Sequence, residues 1–156
     1  MACAWLSEVG EGPPPLPSRL AGRVEATAWR AGTEDRRTAG DYALQRRDDG
    51  RLDPRAALVA LAADLERGIR AETVAARFHA AVATATVDAV QAIAADRGLG
   101  TAVLSGGVFQ NRLLLETVAT RLERAGLRVL IPERLPPNDG GISYGQAAVA
   151  AALNPG

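Results

Sequence analysis

Lysine is absent from this chain: all 18 basic residues are arginine. That absence excludes a P-loop lysine, a Schiff-base lysine and a lysine general base. Cysteine is nearly absent. The single Cys3 rules out an intramolecular disulfide framework and any cysteine-based zinc cluster. Histidine is as scarce. His79 is the one imidazole, so a site needing two or three histidine ligands is excluded, and a Ser-His-Asp triad would have to run through this residue. A surplus of either charge is missing too. The 18 acidic residues balance the arginines. No excess positive charge remains to release counterions, which argues against a general nucleic-acid binder. No apolar run approaches the roughly 18 residues that span a bilayer, so no membrane role is expected. The opening "MACAWLSEVGEG" has no basic stretch leading into a long apolar one. No secretory signal is therefore expected, and a cytoplasmic location is the default.

What is there is a chain of 156 residues, 47% of them apolar, enough to bury a core. Residues 1–51 stand apart from the rest. They contain "EGPPPLPSRLAG" and "RRTAGDYALQRRDDGR", rich in Pro, Gly and Arg with few periodic apolar positions. A triple proline blocks helix, so this segment is expected to be loop-rich. Trp5, Trp29 and Tyr42 are expected to pack it down, and the arginine pairs 36–37 and 46–47 to be solvated loop charge.

From residue 52 the pattern changes. Asp53 can cap a helix with Pro54 at its first position, followed by Leu58, Leu61 and Leu65 at helical spacing and a stop at Gly68. A longer helix is expected from about Ala71 to Asp96. Val74, Phe78, Val82, Ala85, Ala89 and Ile93 give it one apolar stripe, and Gly98 a stop. "TAVLS" (101–105) reads as a strand. "NRLLLETVATRLERAG" reads as an amphipathic helix with Leu114, Val118 and Leu122 on one face. "LRVLI" (127–131) reads as a second, buried strand and "ISYGQAAVAAAL" as a closing helix of small residues. Strand, helix, strand gives a βαβ unit with a parallel pair, an α/β fold.

Two loops could carry chemistry. "SGGVFQN" places Gly106 and Gly107 at the carboxyl end of the first strand, where ligands of α/β folds bind. The helix N-terminus that follows would offer N–H groups and a positive dipole to phosphate. Asn111 can cap that helix or hydrogen-bond a ligand. A tight turn with an ordinary cap explains the same string. It fits neither G-x-x-x-x-G-K-[ST] nor G-x-G-x-x-G. "PPNDGG" (136–141) follows the second strand in the same way. Asp139 could bind a hard cation bridging to phosphates, or Asn138 or Asp139 could simply cap the last helix. His79 is read as a satisfied, half-buried residue.

"LSGGVFQNRLLLE" followed by "GLRVLIPERLPPNDGGISYGQAAVAAA" closely resembles the C-terminal end of the HypF family, the carbamoyltransferases of [NiFe]-hydrogenase maturation. The likeness extends over about residues 42–153 and through "VAARFHAAVATATVDAV" and "LDPRAALVALAADLERGI". A weaker one reaches the tRNA threonylcarbamoyl transferases. The resemblance implies that 52–156 form the C-terminal lobe of an actin, Hsp70 and sugar-kinase-like (ASKHA) domain. It implies a nucleotide against Gly106 and Gly107 and in contact with Asn111, and a metal on Asp139 beside the phosphates. ATP and a divalent metal (Mg, Zn or Fe) are the implied cofactors. Carbamoyl phosphate, a HypE-like acceptor with a C-terminal cysteine, and the upstream HypF domains as a separate chain are the implied partners. This chain carries none of that family's acylphosphatase-like, zinc-finger or adenylate-forming regions, and no histidine pair for the metal. The resemblance therefore implies a fragment of a HypF-type enzyme, inactive by itself. A non-catalytic nucleotide-binding or interaction module, or an inactive remnant, is the alternative.

Overall fold

The computed structural model of the chain describes residues 20–32, 40, 42–133, 135 and 138–153. Cys3, Trp5, the triple proline and Arg36–Arg37 lie outside the described residues. The elements in order are α1 (Leu20–Trp29), β1 (Gln45–Arg46), β2 (Leu52–Asp53), α2 (Arg55–Glu66), α3 (Ala71–Arg97), β3 (Thr101–Val103), a 3-10 turn (Gly107–Gln110), α4 (Arg112–Arg124), β4 (Arg128–Leu130) and α5 (Gly140–Leu153). β1 and β2 form an antiparallel hairpin, and β3 and β4 pair in parallel with Val103 opposite Leu130. The expected βαβ unit is present.

The long helix α3 organises the molecule. Its stop is the expected one: Gly98 adopts the left-handed conformation at φ 64°. Its burial is not the single stripe that the periodicity suggested. Ala75 and Ala76 meet Ala28 and Ala31 on the α1 side. Val74 and Ala81 meet Tyr42 and Ala57 on the α2 side. Ala83 and Val87 meet α4 through Leu114, Leu115, Val118 and Leu122. Alanine is small enough to admit neighbours from several directions, so the helix is buried on three sides. By length and composition it is long and apolar enough to cross a membrane, and α1, α2 and α4 pack against it.

α1 is a departure from expectation. The segment 1–51 reads as loop-rich, yet residues 20–29 form a ten-residue helix. The Pro, Gly and Arg content masks a short helical spacing in which Glu25 and Ala28 turn inward and are buried. Trp29, at its end, packs against the cluster shared with α3, beneath the guanidinium of Arg112. Arg47 pairs with Asp53 at 3.2 Å, while Arg46 is exposed as expected but lies in β1 and not in a loop.

α2 begins one residue later than the sequence suggests: Pro54 is its N-cap, with no side-chain cap hydrogen bond, and Asp53 ends β2. The Asp53 carboxylate accepts the Arg55 N–H at 3.1 Å while Pro54 takes a helical conformation. Its buried face is not the leucine face, however. Leu58 and Leu65 are half-exposed, and Ala57 and Asp64 are buried instead. The cause is a polar network. Asp64 accepts hydrogen bonds from Arg67, from Tyr42 Oη at 2.9 Å and from Arg77 Nη1 at 2.8 Å. The Arg67 hydrogen bond, then the Tyr42 one, hold the Asp64 carboxyl below the usual carboxylate range. Burial first, and the hydrogen bond to Asp64 second, push the Tyr42 phenol up to about 12.

The pH dependence of stability follows from these two directions. A depressed carboxyl stabilises the fold above its unfolded value, about pH 4, and that contribution fades as pH falls further. A raised phenol favours the fold below its unfolded value, about pH 10, and loses that effect as pH rises toward the folded one. Melting temperature against pH should therefore fall at both ends. The gap between the unmodified chain and Asp64→Asn should be widest near neutrality and close below about pH 4. Asp53, held low by the Arg55 hydrogen bond, keeps part of the acid limb in both chains. Parallel profiles over the whole acid range would show that the network does not titrate as described.

The parallel sheet presents one face to the core and leaves the other open. Ala102 and Val129 pack against the α4 cluster. Val103, 64% exposed, and Leu130, 40% exposed, point away. The second strand, expected to be buried, is thus half-buried. Parallel sheets normally have both faces covered. α5 is similarly bare: no residue in it is buried, and Ile142, Tyr144, Val149 and Leu153 are exposed.

Candidate functional site

The glycine motif sits where the strand reading placed it. Leu104 extends the ladder past β3 through its N–H to Leu130 O at 2.9 Å and is buried. The chain then turns at Gly106, with φ 102° and ψ 160°. That region of backbone space is essentially closed to residues with a side chain. Gly106 is thus accounted for by the turn alone. Gly107 is not. Its φ is not in the left-handed range, and a Cβ built there would meet nothing within 4 Å. Neither backbone strain nor packing requires a glycine at 107. Among the described residues the N–H groups of Gly107 and Val108 have no partner.

The helix N-terminus behind the motif corrects one expectation. The glycine pair was expected to open directly onto it, offering free N–H groups to phosphate. The 3-10 turn intervenes, and the first turn of α4 is already satisfied. Asn111 is its N-cap, accepting from Leu114 N at 2.9 Å. The buried carboxylate of Glu25 accepts from Leu113 N at 3.2 Å, across 88 residues of sequence. A carboxylate at a helix N-terminus is electrostatically what a bound phosphate would be. Two donors of the α4 N-terminus, Leu113 N and Leu114 N, are therefore taken by the protein itself, and the glycine turn offers the further donors of Gly107 and Val108. Glu25 is the site residue that sequence reading missed. No local motif marks it, since its partner comes from the fold.

Asn111 does more than cap. Its Nδ2 lies 2.8 Å from His79 Nε2, and His79 Nδ1 lies 2.8 Å from the Ala75 carbonyl oxygen. His79 is buried with both ring nitrogens engaged, the satisfied histidine that was expected.

At the second loop the two capping candidates separate. The Asn138 side chain accepts from Gly140 N at 3.0 Å and starts α5. The Asp139 carboxylate is exposed and has no hydrogen-bond or ion-pair partner among the described residues. Because β3 and β4 run parallel and end together at Val103 and Leu130, both loops leave the same edge of the sheet. No hydrogen bond or ion pair among the described residues joins Asp139 to the glycine turn. Nor, among the described residues, do three or more His, Cys, Asp or Glu side chains gather there as a metal cage. One uncommitted carboxylate does fit the share a protein contributes to a hard cation held mainly by phosphates and water. An apolar groove of about 400 Å³ between α1, α2 and α3, lined by Val24, Leu61, Leu65, Val74 and Phe78 among others, includes none of these residues.

Comparison with known proteins decides the family. Residues 18–146 match the model described as carbamoyltransferase, Kae1-like domain, second subdomain. The chain belongs to the HypF carbamoyltransferase family. It is 38% identical over 151 residues to carbamoyltransferase HypF2 of Cupriavidus necator, covering 94% of this chain and 18% of that protein. It is 38% identical over 114 residues to a carbamoyltransferase HypF homolog of the same organism, covering 72% of this chain and 28% of the relative. The crystal structure of full-length HypF in its phosphate- and nucleotide-bound form superposes with a TM-score of 0.73 at 33% identity, covering 87% of this chain and 17% of that one. The chain thus spans under a third of the length of these HypF relatives. The matched residues begin ahead of α1, so the helix that carries Glu25 lies within the HypF-type subdomain.

Proposed function

We propose that this chain provides one wall of the nucleotide site of a HypF-type carbamoyltransferase. The reaction would use carbamoyl phosphate and ATP to form carbamoyl-adenylate, and pass the carbamoyl group to the C-terminal cysteine of a HypE-like acceptor. In the transfer step the acceptor thiolate attacks the carbamoyl carbon, the new C–S bond forms and AMP leaves. The observation that carries the reading is Gly107. It has open space where a side chain would stand, beside two N–H groups with no partner among the described residues, so a ligand can lie directly on the backbone. The phosphate- and nucleotide-bound state of the HypF relative supports it. Asn111 offers its remaining amide N–H to the nucleotide. Asp139 contributes the carboxylate for a divalent cation, which when bound would neutralise phosphate charge. The rest of the site comes from the other regions of a HypF-type protein, in the same chain or as a separate one. A carbamoyltransferase reading in which this chain acts alone is disfavoured by the single carboxylate and the engaged His79.

The test is metal-dependent ATP affinity, measured by titration calorimetry with the upstream HypF domains supplied as a separate chain. Magnesium should tighten ATP binding to the unmodified protein. Asp139→Asn should lose most of that gain, roughly tenfold or about 1.4 kcal/mol. Its melting temperature should be unchanged, because Asn138 carries the cap. The same magnesium dependence in both proteins would remove Asp139 from the site.

A further inference from the structure

We propose that His79 is a positioning residue whose imidazole fixes the direction of the Asn111 amide. The carbonyl oxygen of Ala75 can only accept a hydrogen bond, so Nδ1 of His79, 2.8 Å away, carries the ring proton. Nε2 faces the Asn111 NH2, which can only donate, so Nε2 is the accepting nitrogen. It accepts from Asn111 Nδ2 at 2.8 Å. At the other end of the same amide, Oδ1 accepts from Leu114 N at 2.9 Å. The two contacts impose the same orientation. Turning the amide over would set its oxygen against the Nε2 lone pair and its NH2 against the Leu114 N–H, two repulsive contacts in place of two bonds. One amide N–H remains, and its direction is set from α3, 32 residues away in sequence. An apolar side chain at 79 would fill the same buried space without an acceptor, leaving the amide held at one end only.

This rests on the nucleotide reading for its consequence, since the fixed N–H is the one Asn111 would offer a ligand. The positioning itself does not depend on that reading, and the experiment separates them. His79 is the only histidine in the chain. In tag-free protein labelled with 15N, the imidazole signals therefore belong to it without assignment. They should report the Nδ1-protonated tautomer with Nε2 accepting a hydrogen bond. The Nε2-protonated tautomer would overturn the proposal outright. In His79→Leu, the Asn111 side-chain amide signals should shift and Leu114 N–H exchange should accelerate at least severalfold. In His79→Gln, whose amide oxygen can accept the same hydrogen, both should stay near the unmodified values. If His79→Leu does not fold, Asn111→Asp serves. It caps as well as Asn but cannot donate to Nε2, so the imidazole signals should move.

The ATP titration is then run with the upstream HypF domains present. His79→Leu should weaken binding about tenfold in the unmodified background and hardly at all in Asn111→Ala, the signature of a residue acting through another. Equal losses in both backgrounds would overturn the proposal. Failure of the unmodified protein to bind ATP would remove the nucleotide reading, and the tautomer and exchange measurements would still decide the positioning.

Discussion

Replacing Gly107 by valine is expected to abolish ATP binding while leaving the melting temperature within a few degrees of the unmodified chain. The two halves of this expectation come from one comparison. Gly106 and Gly107 are adjacent, but only Gly106 has a backbone that demands glycine, at φ 102°. A side chain at 106 forces strain of roughly 1–3 kcal/mol. A Cβ at 107 meets nothing within 4 Å. With the melting temperature unchanged, a loss of ligand binding in Gly107→Val is an effect on the ligand's space. Gly106→Ala provides the contrast: it should lower the melting temperature clearly. Calorimetric titration of ATP, with the upstream HypF domains present, and thermal melting of both variants settle the matter. A folded Gly107→Val protein that binds ATP normally would return the whole motif to a plain turn.

The second large effect is on stability. Leu122 is fully buried and, with Val118, is the largest side chain wholly removed from solvent. It lies in the cluster that joins α3, α4 and the inner face of the parallel sheet. Leu122→Ala should cost roughly 2–5 kcal/mol, the loss of transfer free energy plus the cavity left behind. For a domain with an ordinary margin of about 5–15 kcal/mol, that is a large fraction of all its stability. Urea unfolding followed by circular dichroism measures it. Leu58→Ala, on the half-exposed side of α2, should cost far less. Equal losses from the two substitutions would mean that the core is not where the burial places it.

The contrast between those leucines shows what could be read in advance. α4 was legible because its apolar face is regular: Leu114, Val118 and Leu122 recur four apart, and all three are buried. The Asp53–Pro54 turn into α2 and the Gly98 stop were legible because each is a local piece of backbone chemistry, although the cap itself falls on Pro54. α2 misled because its buried face is set by Asp64, whose partners Tyr42 and Arg77 come from elsewhere in the chain. α3 misled because alanine carries little hydrophobic signal, so three buried faces read as one stripe. At the site, the turn at Gly106 and the Asn111 cap could be inferred from residue type. Glu25 and His79 could not, because their roles exist only once distant segments meet at the first turn of α4.

The open side of the parallel sheet has a practical consequence. With only two strands paired, β3 and β4 each have an outer edge unpaired within the sheet among the described residues. Exposed strand edges are templates for further strands. Here they stand beside an uncovered apolar face that carries Val103 and Leu130. A solution of the chain at high concentration thus contains surfaces that can add to one another edge to edge. Spectra and titrations recorded over a range of concentrations would show this association as a concentration-dependent change. Charged substitutions at Val103 or Leu130, on the bare face, offer a way to suppress it without touching the glycine turn.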